Sequence, residues 1–87
     1  MEKRKAITNS GSKPIPLYTE PEGQDFWLQP GETLEIRAEV HSPSAEFEID
    51  ESLDGITVWP SNDMGYISTW SEGNLLECGY QRPARQG

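Results

Sequence analysis

One imidazole, one thiol and fifteen carboxylates are the groups in this chain that could do chemistry. His41, Cys78 and Met64 offer an imidazole, a thiolate and a thioether, but a blue copper centre needs a second imidazole, and His41 is the only histidine. Structural zinc takes four Cys or His ligands; the chain has one of each. Asp50-Glu51-Ser52-Leu53-Asp54-Gly55 follows the first half of a calcium loop, with oxygen ligands at alternate positions before a bending Gly. The bidentate Glu that closes such a loop is replaced by Ser61, so an acidic hairpin turn is the simpler reading. Carboxylate pairs at a glycosidase-like separation of about 5–10 Å arise by chance among so many acids and carry no information. Nor does a chain of 87 residues leave room for the deep, dry cleft that such acid–base chemistry relies on. Nucleophilic catalysis would need Cys78 or a Ser beside His41. In Leu75-Leu76-Glu77-Cys78-Gly79-Tyr80, Cys78 alternates with Glu77 and shares a parity with Leu76 and Tyr80, as a buried structural thiol would. His41 ends a strand on its polar side and reads as solvent-facing. The expectation is therefore a protein that is not an enzyme, with no catalytic residue, metal ligand or cofactor.

What remains is recognition. Between Pro14 and Gln81 there are fourteen acids and one base, Arg37, a formal charge of −13. Such a body repels nucleic-acid backbones, anionic membrane surfaces and acidic substrates, and attracts cationic partners. Glu35, Glu39, Glu46, Glu48 and Asp50 fall on the polar parity of two strands, and Trp59, followed by Pro60, is out of phase with Ile56 and Val58. An indole anchor ringed by acids suits a basic protein partner, with charge steering the encounter and the aromatic holding it. Two further uses of these residues stay open. Trp59 and Trp70 could stack on a carbohydrate or other small ligand, and the five acids could imitate a nucleic-acid backbone, as a phage-type inhibitor of a nucleic-acid-binding protein does. Salt separates them: charge-driven binding weakens with ionic strength, whereas stacking on a neutral sugar barely changes.

The elements that must position these residues are strands. Turn signals recur every eight to twelve residues, at Ser10–Pro14, Pro21–Gly23, Pro30-Gly31, Ser42–Ser44, Asp54-Gly55, Asn62–Gly65 and Glu72–Asn74, which is the spacing of an all-β sandwich or barrel. Leu34, Ile36, Ala38 and Val40 alternate with Thr33, Glu35, Arg37, Glu39 and His41, the period of a half-buried antiparallel strand. Phe47 and Ile49 alternate with Glu46, Glu48 and Asp50, and Ile56 and Val58 with Thr57 and Trp59. Pro30-Gly31 is a type II turn signal and predicts a hairpin joining Asp25–Gln29 to Thr33–Val40. Asp54-Gly55 predicts a tight hairpin of the primed type, with Gly supplying the positive φ. Pro14 and Pro16 flank Ile15, which predicts that Ile15–Thr19 lies at a sheet edge. The predicted fold is a small antiparallel β-sandwich or open barrel of seven to eight short strands, with Ile15, Leu17, Phe26, Leu28, Leu34, Ile36, Ala38, Val40, Phe47, Ile49, Ile56, Val58, Ile67, Leu76 and Cys78 as its core.

One β domain over residues 6–82 is expected, between a flexible basic N-terminal tail at 1–5 and a flexible C-terminal tail at 83–87. A chain this short buries on the order of 60–65% of its unfolded surface. Its apolar fraction, 33%, is low enough that the Trp, Tyr and Phe side chains, roughly 150–250 Å² each, must supply much of the core. A lone cysteine forms no intramolecular disulfide and points to a reducing compartment. The Met-Glu-Lys-Arg-Lys start has no apolar stretch behind it, unlike a secretory signal, and no run approaches the roughly 18–20 apolar residues of a membrane span. A cytoplasmic location, with no membrane partner, is the expectation.

The run Ile7-Thr8-Asn9-Ser10, then Leu17-Tyr18-Thr19-Glu20-Pro21-x-Gly23, Phe26-x-Leu28-x-Pro30-Gly31-Glu32 and Leu34-x-Ile36 resembles small bacterial β-sandwich proteins of uncharacterised function. It covers about a third of the chain. The resemblance implies a compact β fold in a bacterial or phage cytoplasm and brings no functional residue with it.

Overall fold

A computed structural model of the protein describes residues 1–52 and 54–77. Alternation of apolar and polar residues produces eight strands: β1 (Glu2–Thr8), β2 (Ile15–Thr19), β3 (Gln24–Leu28), β4 (Thr33–Glu39), β5 (Glu48–Ser52), β6 (Gly55–Trp59), β7 (Ser68–Ser71) and β8 (Asn74–Leu75). They form two four-stranded sheets, ordered β1-β4-β7-β8 and β3-β2-β6-β5. Among the described residues there is no helix, and so none long and apolar enough to cross a membrane.

The inward parity of β1, β2, β3, β4 and β6, with Ile67 just before β7, builds one core between the sheets. Ile7, Leu34, Ile36, Ala38 and Ile67 from one side meet Leu17, Phe26, Leu28, Ile56 and Val58 from the other. Val40 and Ala45 are also buried. Ile15, Phe47, Ile49 and Leu76, expected in the core, are only partly buried against it. Ile7 was not foreseen as core, and Cys78 lies outside the described residues.

Four expectations about placement are corrected. The first concerns the N-terminus. Residues 2–5 are not a tail but most of β1, which pairs antiparallel with β4 over seven positions, from Glu2↔Glu39 to Thr8↔Thr33. The Val40 N–H donates to the Met1 carbonyl and the Asn9 N–H to the Glu32 carbonyl, so the ladder runs on at both ends of the strand. On this edge strand Lys3 and Lys5 fall on the inward parity, a placement that discourages pairing with another sheet. Lys3 Nζ donates to the Ala45 carbonyl at 2.7 Å and to Glu46 Oε2 at 3.0 Å.

The second correction is Pro30-Gly31. The turn forms, with Gly31 at φ 78° and the Glu32 N–H donating to the Gln29 carbonyl at 2.9 Å. It joins no hairpin, because β3 and β4 belong to different sheets. Asn9 holds the crossing. Its carbonyl accepts from the Gly31 N–H at 2.7 Å. Its buried side chain donates from Nδ2 to the Lys13 and Leu28 carbonyls at 2.8 and 2.9 Å, and accepts from the Gly11 N–H through Oδ1. Asn9→Ala strands those carbonyls in the interior and is expected to cost about 2–3 kcal/mol. Urea unfolding monitored by tryptophan fluorescence measures it, and a loss under half a kilocalorie, roughly the scatter for surface substitutions, would show the clasp to be dispensable.

Third, β2 is not an edge strand. It lies between β3 and β6, pairing antiparallel with β3 and, against the all-antiparallel expectation, parallel with β6. Pro16 is tolerated because the registered β2–β6 pairs begin one residue later, at Leu17↔Ile56. Fourth, the β5–β6 hairpin forms, but Gly55 is not in its turn. It is the first residue of β6, opposite Ser52, with φ 155°.

Candidate functional site

The two sheets present outer faces of different charge. All four strands of the β3-β2-β6-β5 sheet lack Lys, Arg and His, and they carry Asp25, Glu48, Asp50 and Glu51. Of the bases among the described residues, Lys3, Arg4, Lys5 and Arg37 are on β1 and β4, in the other sheet, and Lys13 is in the β1–β2 connection. The cause is connectivity: folding the N-terminal residues onto β4 delivers their positive charge to one sheet only.

The five acids expected to act together are therefore divided. Glu35 and Glu39 are on β4, Glu48 and Asp50 on β5 in the opposite sheet, and Glu46 in the connection between them. Three are matched by nearby cations. Arg37 Nε donates to Glu35 Oε1 at 2.6 Å, Lys3 binds Glu46, and the N-terminal ammonium lies 3.3 Å from Glu39 Oε1. The continuous array required for backbone mimicry is not assembled. Glu48 and Asp50 are exposed, and among the described residues neither has a side-chain hydrogen bond or ion pair.

The tryptophans are divided in the same way. Trp70 is on β7, opposite Glu35, and its Nε1–H donates to Ser68 Oγ at 2.9 Å. The Arg37 guanidinium lies 4.0 Å from its ring centroid, a cation–π contact that occupies one face of the indole. Trp59 is on β6 in the other sheet and is 46% exposed. A single sugar cannot stack on both.

Around Trp59 the register gathers a distinct surface. Glu48 is its direct neighbour on β5. On the β2 side, the Glu20 N–H donates to the Val58 carbonyl at 2.9 Å, which extends the parallel ladder and sets Glu20 level with Trp59. One row along, Tyr18, Thr57 and Asp50 stand side by side, with Asp25 beyond Tyr18 on β3. Tyr18 is 40% exposed.

The chain leaves this row through two prolines, Pro21 after Glu20 and Pro60 after Trp59, and both line a groove of about 280 Å³ completed by Glu22, Met64, Gly65 and Tyr66. The segment bearing Met64 and Tyr66 is tied to the end of β4. Val40 and Met64 form an isolated bridge, the Gly65 N–H donates to the Glu39 carbonyl at 3.0 Å, and the Met64 N–H donates to the Ser61 carbonyl at 3.1 Å. Tyr66 stands 79% exposed at the rim. Sequence alternation missed this groove because its walls are turn residues. The one signal for it was an aromatic in an Asn-Asp-Met-Gly-Tyr turn, where no strand parity calls for one.

His41 is exposed, as a residue past the end of a strand, and its backbone N–H donates to the Asp63 carbonyl. Cys78 lies outside the described residues. Among the described residues, no group of three or more His, Cys, Asp or Glu is placed to hold a metal ion. Searches against protein-family models, curated proteins and solved structures found no match.

Proposed function

We propose that the protein is a non-catalytic recognition domain that binds a basic protein through the outer face of the β3-β2-β6-β5 sheet, with Trp59 as anchor and Glu48 and Asp50 as the steering charges. One observation carries the reading: exposed Trp59 sits beside acids that have no cation among the described residues, on a sheet whose strands contain no base. A cationic side chain arriving there finds an indole for cation–π contact and carboxylates that draw it in from a distance. The acids of the other sheet have internal partners and are not part of this surface.

The test compares retention of basic proteins on the immobilised domain, released by salt from about 0.05 to 0.5 M, a range over which the screening length shortens several-fold. Glu48→Lys with Asp50→Lys is expected to slow association by about tenfold or more, and Trp59→Ala to abolish retention while costing less than about 1 kcal/mol of stability, because the indole is already half exposed. Glu46→Lys serves as the control, since Glu46 belongs to the other charge set. Equal retention by all four proteins would sink the reading, and binding indifferent to salt would move it to stacking on a neutral ligand.

A further inference from the structure

We infer that the groove beside this face takes a proline-rich segment in the polyproline II conformation, flanked by Arg or Lys. The inference rests on the reading of the acidic face as a surface for basic proteins and names the form in which such a partner presents itself.

The groove's lining is what such a segment needs. Pro21, Pro60, Met64 and Tyr66 supply apolar and aromatic walls, and the charged side chain among the lining residues is Glu22. Polyproline II leaves every backbone carbonyl free to accept a hydrogen bond, and it is extended before binding, so little ordering entropy is lost. Tyr66, in the lining, and Trp59, which immediately precedes the lining Pro60, carry donors that match. Among the described residues, neither Trp59 Nε1–H nor the Tyr66 hydroxyl has a hydrogen-bond partner, and both side chains are exposed. Aromatic-lined grooves that read Pro-rich segments combine these features.

Charge complementarity selects the flanks. Pro21 and Pro60, which line the groove, directly follow Glu20 and Trp59 in the chain, and Glu48 is the next residue across from Trp59. No strand of this sheet contributes a base. A neutral proline peptide would gain the apolar contacts alone; one with Arg at its ends also reaches Glu22 and the acids around Trp59. The groove is built into the fold rather than draped over it, since the Val40–Met64 bridge and the Gly65–Glu39 hydrogen bond fix one wall while β2 and β6 fix the other.

Three synthetic peptides of about eight residues, near 25 Å long at roughly 3.1 Å per residue, separate the outcomes when titrated against the intact protein by tryptophan fluorescence and amide chemical shifts. The first is Arg-Pro-Ala-Pro-Pro-Ala-Pro-Arg, the second has Ser in place of every Pro, and the third has Gln in place of both Arg. The first is expected to bind at least about tenfold more tightly than either of the others. Tyr66→Ala is expected to weaken it by about tenfold or more, an ordinary share for an interface aromatic, with an unchanged unfolding midpoint. Shift changes confined to residues 20–22 and 59–66 support the groove. Equal binding of the first two peptides overturns the polyproline inference and leaves the basic-partner reading standing. Binding unaffected by Tyr66→Ala overturns the groove as its location. Failure of all three peptides, together with no retention of any basic protein, overturns both.

Discussion

Removal of residues 1–8 is expected to destroy cooperative folding. A basic tail could be cut away at no cost, but β1 is a full partner of β4, registered from Glu2↔Glu39 to Thr8↔Thr33. It also contributes Ile7, only 5% exposed, to the core. Losing a buried Ile costs about 2–5 kcal/mol. The orphaned ladder adds several hydrogen bonds at about 0.5–1.5 kcal/mol each. Together these approach or exceed the roughly 4–13 kcal/mol available to a domain of this size. The shortened chain is therefore expected to show no cooperative thermal transition by circular dichroism and to aggregate through the exposed edge of β4. A transition within a few degrees of the full chain would mean that β1 is an accessory strand.

The second large effect is expected at Gly55. A Cβ there would sit 2.9 Å from both the Pro16 carbonyl oxygen and Pro16 Cγ. The carbonyl is backbone, so it cannot swing away as a flexible side chain would. Gly55 also has φ 155°, outside the regions comfortable for a side-chain-bearing residue. Overpacking of about 1–3 kcal/mol adds to backbone strain of about 1–3 kcal/mol, so Gly55→Ala should cost about 2–6 kcal/mol. The mechanism is specific: β2 and β6 must separate where their parallel pairing begins, at Leu17↔Ile56. Denaturant unfolding measures the loss. Amide hydrogen exchange should show the greatest loss of protection at Leu17–Thr19 and Ile56–Val58. A uniform loss across both sheets, or none, would contradict the close-approach account. As both strands carry the aromatic and acidic face, the same substitution should also weaken any binding there.

Each of these variants contradicts a plausible inference from the chain alone, and the reasons differ. Asp54-Gly55 was legible as a turn, and a hairpin does form there, but the need for Gly comes from Pro16, thirty-nine positions earlier in the chain. No local pattern reports such an approach. The Met-Glu-Lys-Arg-Lys start has little apolar content because β1 is an edge strand, and edge strands use charge to resist aggregation. The composition that made it look like a tail is what an edge strand needs. Pro16 pointed to an edge for the converse reason: one missing N–H does not disqualify a central strand if it falls where a neighbouring ladder has not yet begun.

For the candidate site, the chain alone identified Trp59, Glu48 and Asp50 through parity, and all three share one outer face. It grouped them with Glu35, Glu39 and Glu46 because parity says which residues point outward and nothing about which sheet they point from. It could not see the groove, since Pro21 comes from the β2–β3 turn and Pro60, Met64 and Tyr66 from the β6–β7 connection, which meet only in space.

Period-two alternation by itself determined that this is an all-β protein, where most of its turns lie, and most of its core, from Leu17 to Ile67. Those properties are local, because the side chains of a strand alternate faces whatever the strand pairs with. Only the tertiary structure decided that β3 and β4 part at Pro30-Gly31 into separate sheets, that β2 runs parallel to β6, and that the N-terminal cations settle on one face. Pairing partners are set by long-range packing, and the same alternating strand can be satisfied in either sheet. The net charge was written in the composition; its division between a sheet whose strands carry Lys and Arg and one whose strands carry none was made by the fold.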